Sequence, residues 1–196
     1  MKSIALSILA ALVLAACGER VIAPPPLAVA HAPDTSELGA GAATGILGAG
    51  PELQACGSRV AIDEVLQRIN AARASGYRCG RHAMGPAAPL RWEPSLYSAA
   101  QGHSLDMAKR NYFEHVSPEG VSVRNRVAAV HYKSRMVGEN IAAGVRTMPE
   151  AMQAWLASEG HCENMLTPEF QDVAVACVAQ PGSEWGTYWT MVLGRK

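Results

Sequence analysis

Apolar positions along the chain recur with two periods, one helical and one alternating. From Ala61 to Ser75, Ile62, Val65, Leu66 and Ile69 form one stripe, and Gly76 follows as a stop signal. Pro94 opens a second helix to about Arg110, with Leu96, Ala100, His103 and Met107 on its buried face. Ser122 to His131 predicts a shorter helix carrying Val123, Val127 and Val130, and Glu139 to Ala143 begins a strand. Thr147 and Glu150 then form a capping box with Pro149 inside the first turn. The helix that follows puts Ala151, Met152, Trp155 and Leu156 on one face; Gly160 is expected to end it, so that His161 emerges just beyond. Asp172 to Val178 and Thr187 to Leu193 are β-rich and flank Gln180-Pro181-Gly182-Ser183, which predicts an antiparallel hairpin. Helices followed by a hairpin indicate an α+β fold with helices covering a small sheet.

The first 55 residues follow a different pattern. Lys2 precedes an apolar run from Ile4 to Leu14, and Leu14-Ala15-Ala16-Cys17 ends it. A short basic start, a short apolar core and small residues mark residues 1–16 as a secretory signal rather than a spanning helix. The ending resembles a bacterial lipobox, which implies lipidation of Cys17 and tethering to a membrane through its acyl chains. Gly18, in place of Asp, implies the outer membrane of a two-membrane bacterium. Residues 17–55 continue as an Ala/Pro/Gly-rich linker that includes His31. Residues 56–196 remain for one domain with one core.

Seventeen basic and seventeen acidic residues give a formal net charge of +0, without a Lys/Arg cluster, so nothing points to nucleic acid. Apart from Cys17, the cysteines are Cys56, Cys79, Cys162 and Cys177, an even set suited to an oxidising compartment. Three pairings are possible. Cys56–Cys79 with Cys162–Cys177 is the expected one, because each bridge closes a local unit.

The candidate chemistry lies in two histidines that follow helical segments, His115 and His161, and an acid between them, Glu139. His103, on an apolar helix face, reads as a hydrogen-bonded core group. Asn70 and Arg73, late in the first helix, read as satisfying loop backbone. Leu90-Arg91-Trp92 is expected to anchor the next helix, and Arg126 to brace the segment carrying Glu139. Two imidazoles and a carboxylate in one cleft are candidate ligands for Zn2+ or another divalent cation. Ser158 with His161 is a candidate nucleophile–base pair, although Ser158 lacks a nucleophile elbow.

Seven short pieces occur in a fixed order: Asn70-x-x-Arg73, Leu90-x-Trp92, His103-Ser104-x-Asp106-Met107-Ala108, Phe113-x-His115, Gly138-Glu139-Asn140-Ile141, Trp155-x-x-Ser158-x-Gly160-His161 and Tyr188-Trp189-Thr190. Together they resemble the CAP superfamily of cysteine-rich secretory, antigen five and pathogenesis-related proteins, whose domain is also called SCP. The resemblance covers most of the chain after Cys56 and implies a three-layer α-β-α sandwich with a small antiparallel sheet between helices. In eukaryotic members a cleft of two His and two Glu holds divalent metal. Here Tyr188 stands at the strand histidine, Glu159 at the usual Pro and Met191 at the usual Gln. That leaves Glu159 or Glu163 as candidates for the second acid. The implied cleft comprises His115, Glu139, His161, Ser158, Asn140 and Tyr188, with Trp155 and Trp189 read as core. Three functions are consistent with such a domain: an envelope binding module for lipid, glycan or protein; an envelope hydrolase acting on peptide or cell-wall material; and a structural envelope protein. The family has no common catalytic activity.

Overall fold

The computed structural model describes Cys56 and residues 61–196. The expected signal segment, the expected lipidation site at Cys17 and the expected linker lie outside the described residues. Among the described residues, no helix is long and apolar enough to cross a membrane.

The elements run α1 (Ile62–Ser75), β1 (Tyr77–Cys79), β2 (His82–Met84), β3 (Arg91–Trp92), α2 (Pro94–Arg110), α3 (Val123–Ala129), β4 (Met136–Ala143), α4 (Met148–Ala157), α5 (Glu159–Leu166), β5 (Asp172–Ala179) and β6 (Thr187–Arg195). The main sheet has the order β3-β5-β6-β4. β5 and β6 form the expected antiparallel hairpin, and β4 pairs antiparallel with β6 at one edge. The short β3 runs parallel to β5 at the other edge, so the anchor at Leu90-Arg91-Trp92 is a strand.

Side-chain alternation along β6 sorts the two faces of this sheet. Trp189, Met191 and Leu193 join Val65, Ile69, Met152, Trp155 and Met165 from α1, α4 and α5. Val192 meets Leu96, Ala100 and Val127 of α2 and α3, and Thr190 accepts a 2.8 Å hydrogen bond from Ser104 of α2. Helices therefore cover both faces, which makes the α+β, three-layer α-β-α sandwich. Trp155 and Trp189 are core groups whose indole N–H groups donate to the carbonyls of Ile141 and Val145 at 3.0 and 2.8 Å.

Arg73 is fully buried, and its guanidinium donates to the carbonyls of Ala88, Met165, Thr167 and Phe170. It closes the loop before β3 against the end of α5, while Asn70 exchanges two hydrogen bonds with the backbone of Leu90. Burial pulls the Arg73 pKa down, and four carbonyl acceptors stabilise the charge it keeps.

Three features differ from the sequence expectations. First, β1 and β2 form a separate hairpin, Cys79 opposite His82, across the two-residue turn Gly80-Arg81. Second, Gly160 does not end a helix. Ser158, in extended backbone at φ −94° and ψ 120°, closes α4 and starts α5, so His161 lies in the first turn of a new helix. Third, the disulfides are Cys56–Cys177 and Cys79–Cys162, with Cα–Cα distances of 5.6 and 5.5 Å. The expected local pairing is wrong because the β1–β2 hairpin docks on α5, carrying Cys79 to Cys162. Cys177 faces the α1 side of the sheet, where Cys56 precedes α1. Spatial neighbourhood, not loop length, sets the pairing.

Candidate functional site

α2 ends at Asn111, whose left-handed φ of 52° turns the chain into the loop that carries His115. Arg110 ties this loop back to α2 by pairing with both Glu119 and Asp106. Arg110 and the Ser117 hydroxyl hold the Glu119 carboxyl down at about 2. Burial, followed by the hydrogen bond to Asp106, pushes the Tyr112 phenol up to about 12. The loop is thus fixed by charge-assisted contacts, although His115 itself is half exposed.

Glu139 projects from the edge strand β4 toward the α2 layer, with its side chain 2% exposed. Its Oε1 accepts from His115 Nδ1 at 2.9 Å, and its Oε2 from an Arg126 guanidinium nitrogen at 2.7 Å. A carboxylate only accepts, so His115 Nδ1 carries a proton and Nε2 is the ring nitrogen left to the cleft. Arg126 also donates to the carbonyls of His115 and Val121 at 3.0 and 2.8 Å, giving the expected brace. His103 is buried behind them, and its Nε2 donates to the Glu114 carbonyl at 3.0 Å. Its Nδ1 has no partner among the described residues. Burial lowers the His103 pKa more than the nearby Glu139 raises it, and the Arg126 charge lowers it further.

On the other side of β4, Asn140 points to the α5 layer. Its amide donates to the His161 carbonyl at 2.9 Å and its oxygen accepts from Asn164 at 2.8 Å. This pair orients the first turn of α5 and brings the His161 ring to 6.5 Å from that of His115, centroid to centroid. The two imidazoles come from opposite layers and meet at the edge of β4. Burial, and then the neighbouring His115, lower the His161 pKa.

The remaining sequence candidates are placed differently. Tyr188 is fully buried on the α2 face, donates to Asn111 Oδ1 at 3.2 Å, and packs edge-on against Trp185. Ser158 caps helices with its backbone, and no hydrogen bond joins its hydroxyl to His161 among the described residues. Glu159 and Glu163 turn away from the cleft toward His82 of β2. Among the described residues, His82, Glu159 and Glu163 are the group whose ligand atoms all lie within 4.8 Å of one another. In the cleft both Glu139 oxygens are already engaged, one by His115 and one by Arg126, and the His161 ring stands beside this pair without a hydrogen bond to either among the described residues. That arrangement does not fit a His2Glu metal set. It leaves an exposed, carboxylate-oriented His115 beside a half-buried His161, with Val116 and Val121 exposed on the same loop. Sequence reasoning missed His82, whose signal was the Gly-x turn of a tight hairpin.

The family model described as "CAP: Cysteine-rich secretory protein family" matches residues 66–193. The uncharacterized protein YkwD of Bacillus subtilis (strain 168) is 37% identical over 102 residues, 52% of this chain and 38% of that protein. The uncharacterized membrane protein YlbC of the same organism is 38% identical over 88 residues, 45% of this chain and 25% of that protein. The chain thus spans well under half the length of either relative. Among solved structures, an extracellular protein containing an SCP domain from Bacillus anthracis is 33% identical, with a TM-score of 0.50 over 56% of this chain and 35% of that one. An outer surface protein from Borrelia burgdorferi shares the fold at 12% identity, with a TM-score of 0.60 over 74% of this chain and 98% of that one. The match to the family model, over most of the folded region, agrees with the sandwich and its ordered motifs: the chain belongs to the CAP family of cysteine-rich secretory proteins.

Proposed function

We propose that this chain is an exported CAP binding module of the bacterial envelope, tethered through lipid on Cys17, which takes a lipid, glycan or protein ligand at the His115–His161 cleft. The observation that carries this reading is the meeting of the two imidazoles across the edge of β4, with Glu139 orienting His115. The Nε2 of the exposed His115 ring is free to exchange a hydrogen bond with a ligand hydroxyl or amide, and Val116 beside it adds apolar surface. Export is supported by two disulfides, by the apolar start of the chain and by relatives described as extracellular or outer-surface proteins. The test is co-sedimentation of the full chain with phospholipid vesicles and with peptidoglycan sacculi, for wild type, His115→Ala and His161→Ala. Binding to one probe that falls at least tenfold in both variants supports the reading. Binding to neither probe, or binding unchanged in both variants, refutes it.

The His115–Glu139 bond also favours a second reading, an envelope hydrolase with His115 as general base. The Glu139 carboxylate on Nδ1 holds the ring in place and leaves Nε2 as the nitrogen placed to take a substrate proton. Peptidoglycan or peptide turnover lost in His115→Ala but kept in Ser158→Ala would support it; no turnover by wild type would remove it.

A further inference from the structure

The hairpin β1–β2 and helix α5 hold a second His/Glu group, on the far side of α5 from Asn140. Glu159 and Glu163 lie one helical turn apart, so their carboxylates share a face and repel each other. His82 Nδ1 stands between them, hydrogen-bonded to Glu163 and 3.7 Å from Glu159 Oε1. No Lys or Arg pairs with either carboxylate among the described residues; Arg78 of β1 donates instead to the carbonyl of Arg81. Even a protonated His82 therefore offsets only one of two negative charges, whereas a divalent cation offsets both.

The two elements that carry these side chains are also tied together. Cys79 is the cross-strand partner of His82, and Cys162 lies between Glu159 and Glu163 in sequence, so the Cys79–Cys162 bridge ties the two ligand-bearing elements together next to the ligands. Gly80, at φ +55°, presses its backbone on Glu159: a Cβ there would stand 2.7 Å from the carboxyl carbon. One imidazole and two carboxylates with ligand atoms within 4.8 Å of one another match the donor types of a three-ligand zinc site that completes its shell with water. We propose that His82, Glu159 and Glu163 form a Zn2+ site that clamps the hairpin to α5, separate from the His115–His161 cleft.

The test is calorimetric titration of the disulfide-intact full chain with ZnCl2. The variants are His82→Ala, Glu159→Gln/Glu163→Gln and His115→Ala/His161→Ala, with circular dichroism to confirm folding. His82 is exposed, so its replacement leaves the fold intact. The expected result is one equivalent of zinc, weakened at least tenfold in the first two variants and changed less than twofold in the third. Zinc binding lost only in the cleft variant, or no zinc binding by wild type, would overturn the proposal. Either result leaves the vesicle and sacculus test of the cleft untouched.

Discussion

His115 and Glu139, 24 residues apart, meet at 2.9 Å where the loop after α2 crosses the edge strand β4. One carboxylate oxygen fixes the His115 tautomer, and the other takes the Arg126 guanidinium. Glu139 is thereby a buried charge that one partner neutralises and another reports to solvent.

Removing Arg126 alone should be costly. Arg126→Met leaves a carboxylate of 2% exposure without its cation, and a loss of about 3 kcal/mol is expected. Arg126→Met combined with Glu139→Leu removes both charges and should recover much of that loss. Urea denaturation of the four proteins measures the coupling, and additive effects would show that the pair is not energetically linked.

Acid should weaken the fold through His103, which is buried, and His161, which is half-buried. His103 and His161 both have pKa values below the ordinary 6.5, so below that pH the unfolded chain binds more protons than the folded one. Their contribution is complete above pH 6.5 and is lost as pH falls through the lowered folded values. His82 has the opposite sign: its raised pKa favours the fold below 6.5, and that contribution is lost as pH rises through the folded value. His82 is fully exposed and screened, so the acid-side loss should dominate. Melting temperatures from pH 7.5 to 5 should therefore fall in wild type and fall less in His103→Gln. A profile flat in wild type would contradict this.

The bridges Cys56–Cys177 and Cys79–Cys162 span 121 and 83 residues of sequence. On the chain-entropy model each long loop contributes about 5 kcal/mol, more than the local pairing expected from sequence would have done. Non-reduced peptide mapping should recover fragments joining these residues, and Cys79→Ala/Cys162→Ala should lower urea stability by an amount of that order. Fragments joining Cys56 to Cys79 would overturn the assignment.

Arg73 is the remaining buried cation, and Arg73→Leu strands four carbonyls that it now satisfies. A loss of at least about 3 kcal/mol is expected. Arg73→Lys should rescue only part, because an ammonium cannot reach four acceptors spread around a planar fork. Full rescue by Lys would indicate that charge alone matters.

Much of this architecture is legible along the chain where one segment determines its own conformation. The bounds of α2, the capping box at Thr147 and Glu150, and the β5–β6 hairpin all follow from local periodicity and turn chemistry. The roles of Arg73, Arg126 and His103 were readable because a polar group on an apolar face must find partners. The break at Ser158 was hidden by an apolar stripe that continues through Trp155 and Leu156, although Ser158 followed by Glu159 is itself a helix-start signal. β1 and β2 have three residues each, too few for alternation to show. The disulfide pairing and the turning of Glu159 and Glu163 toward His82 both depend on where that hairpin docks. That is a tertiary fact with no local trace.

The central claim is that His115 and His161, from opposite layers, serve one ligand site. The most direct measurement is a double-mutant cycle on binding to whichever of phospholipid vesicles or sacculi the full chain retains, using His115→Ala, His161→Ala and the double variant. One shared site requires coupling: the double variant should lose little more than the worse single variant. Effects of the two substitutions that simply add, or leave binding unchanged, would contradict it.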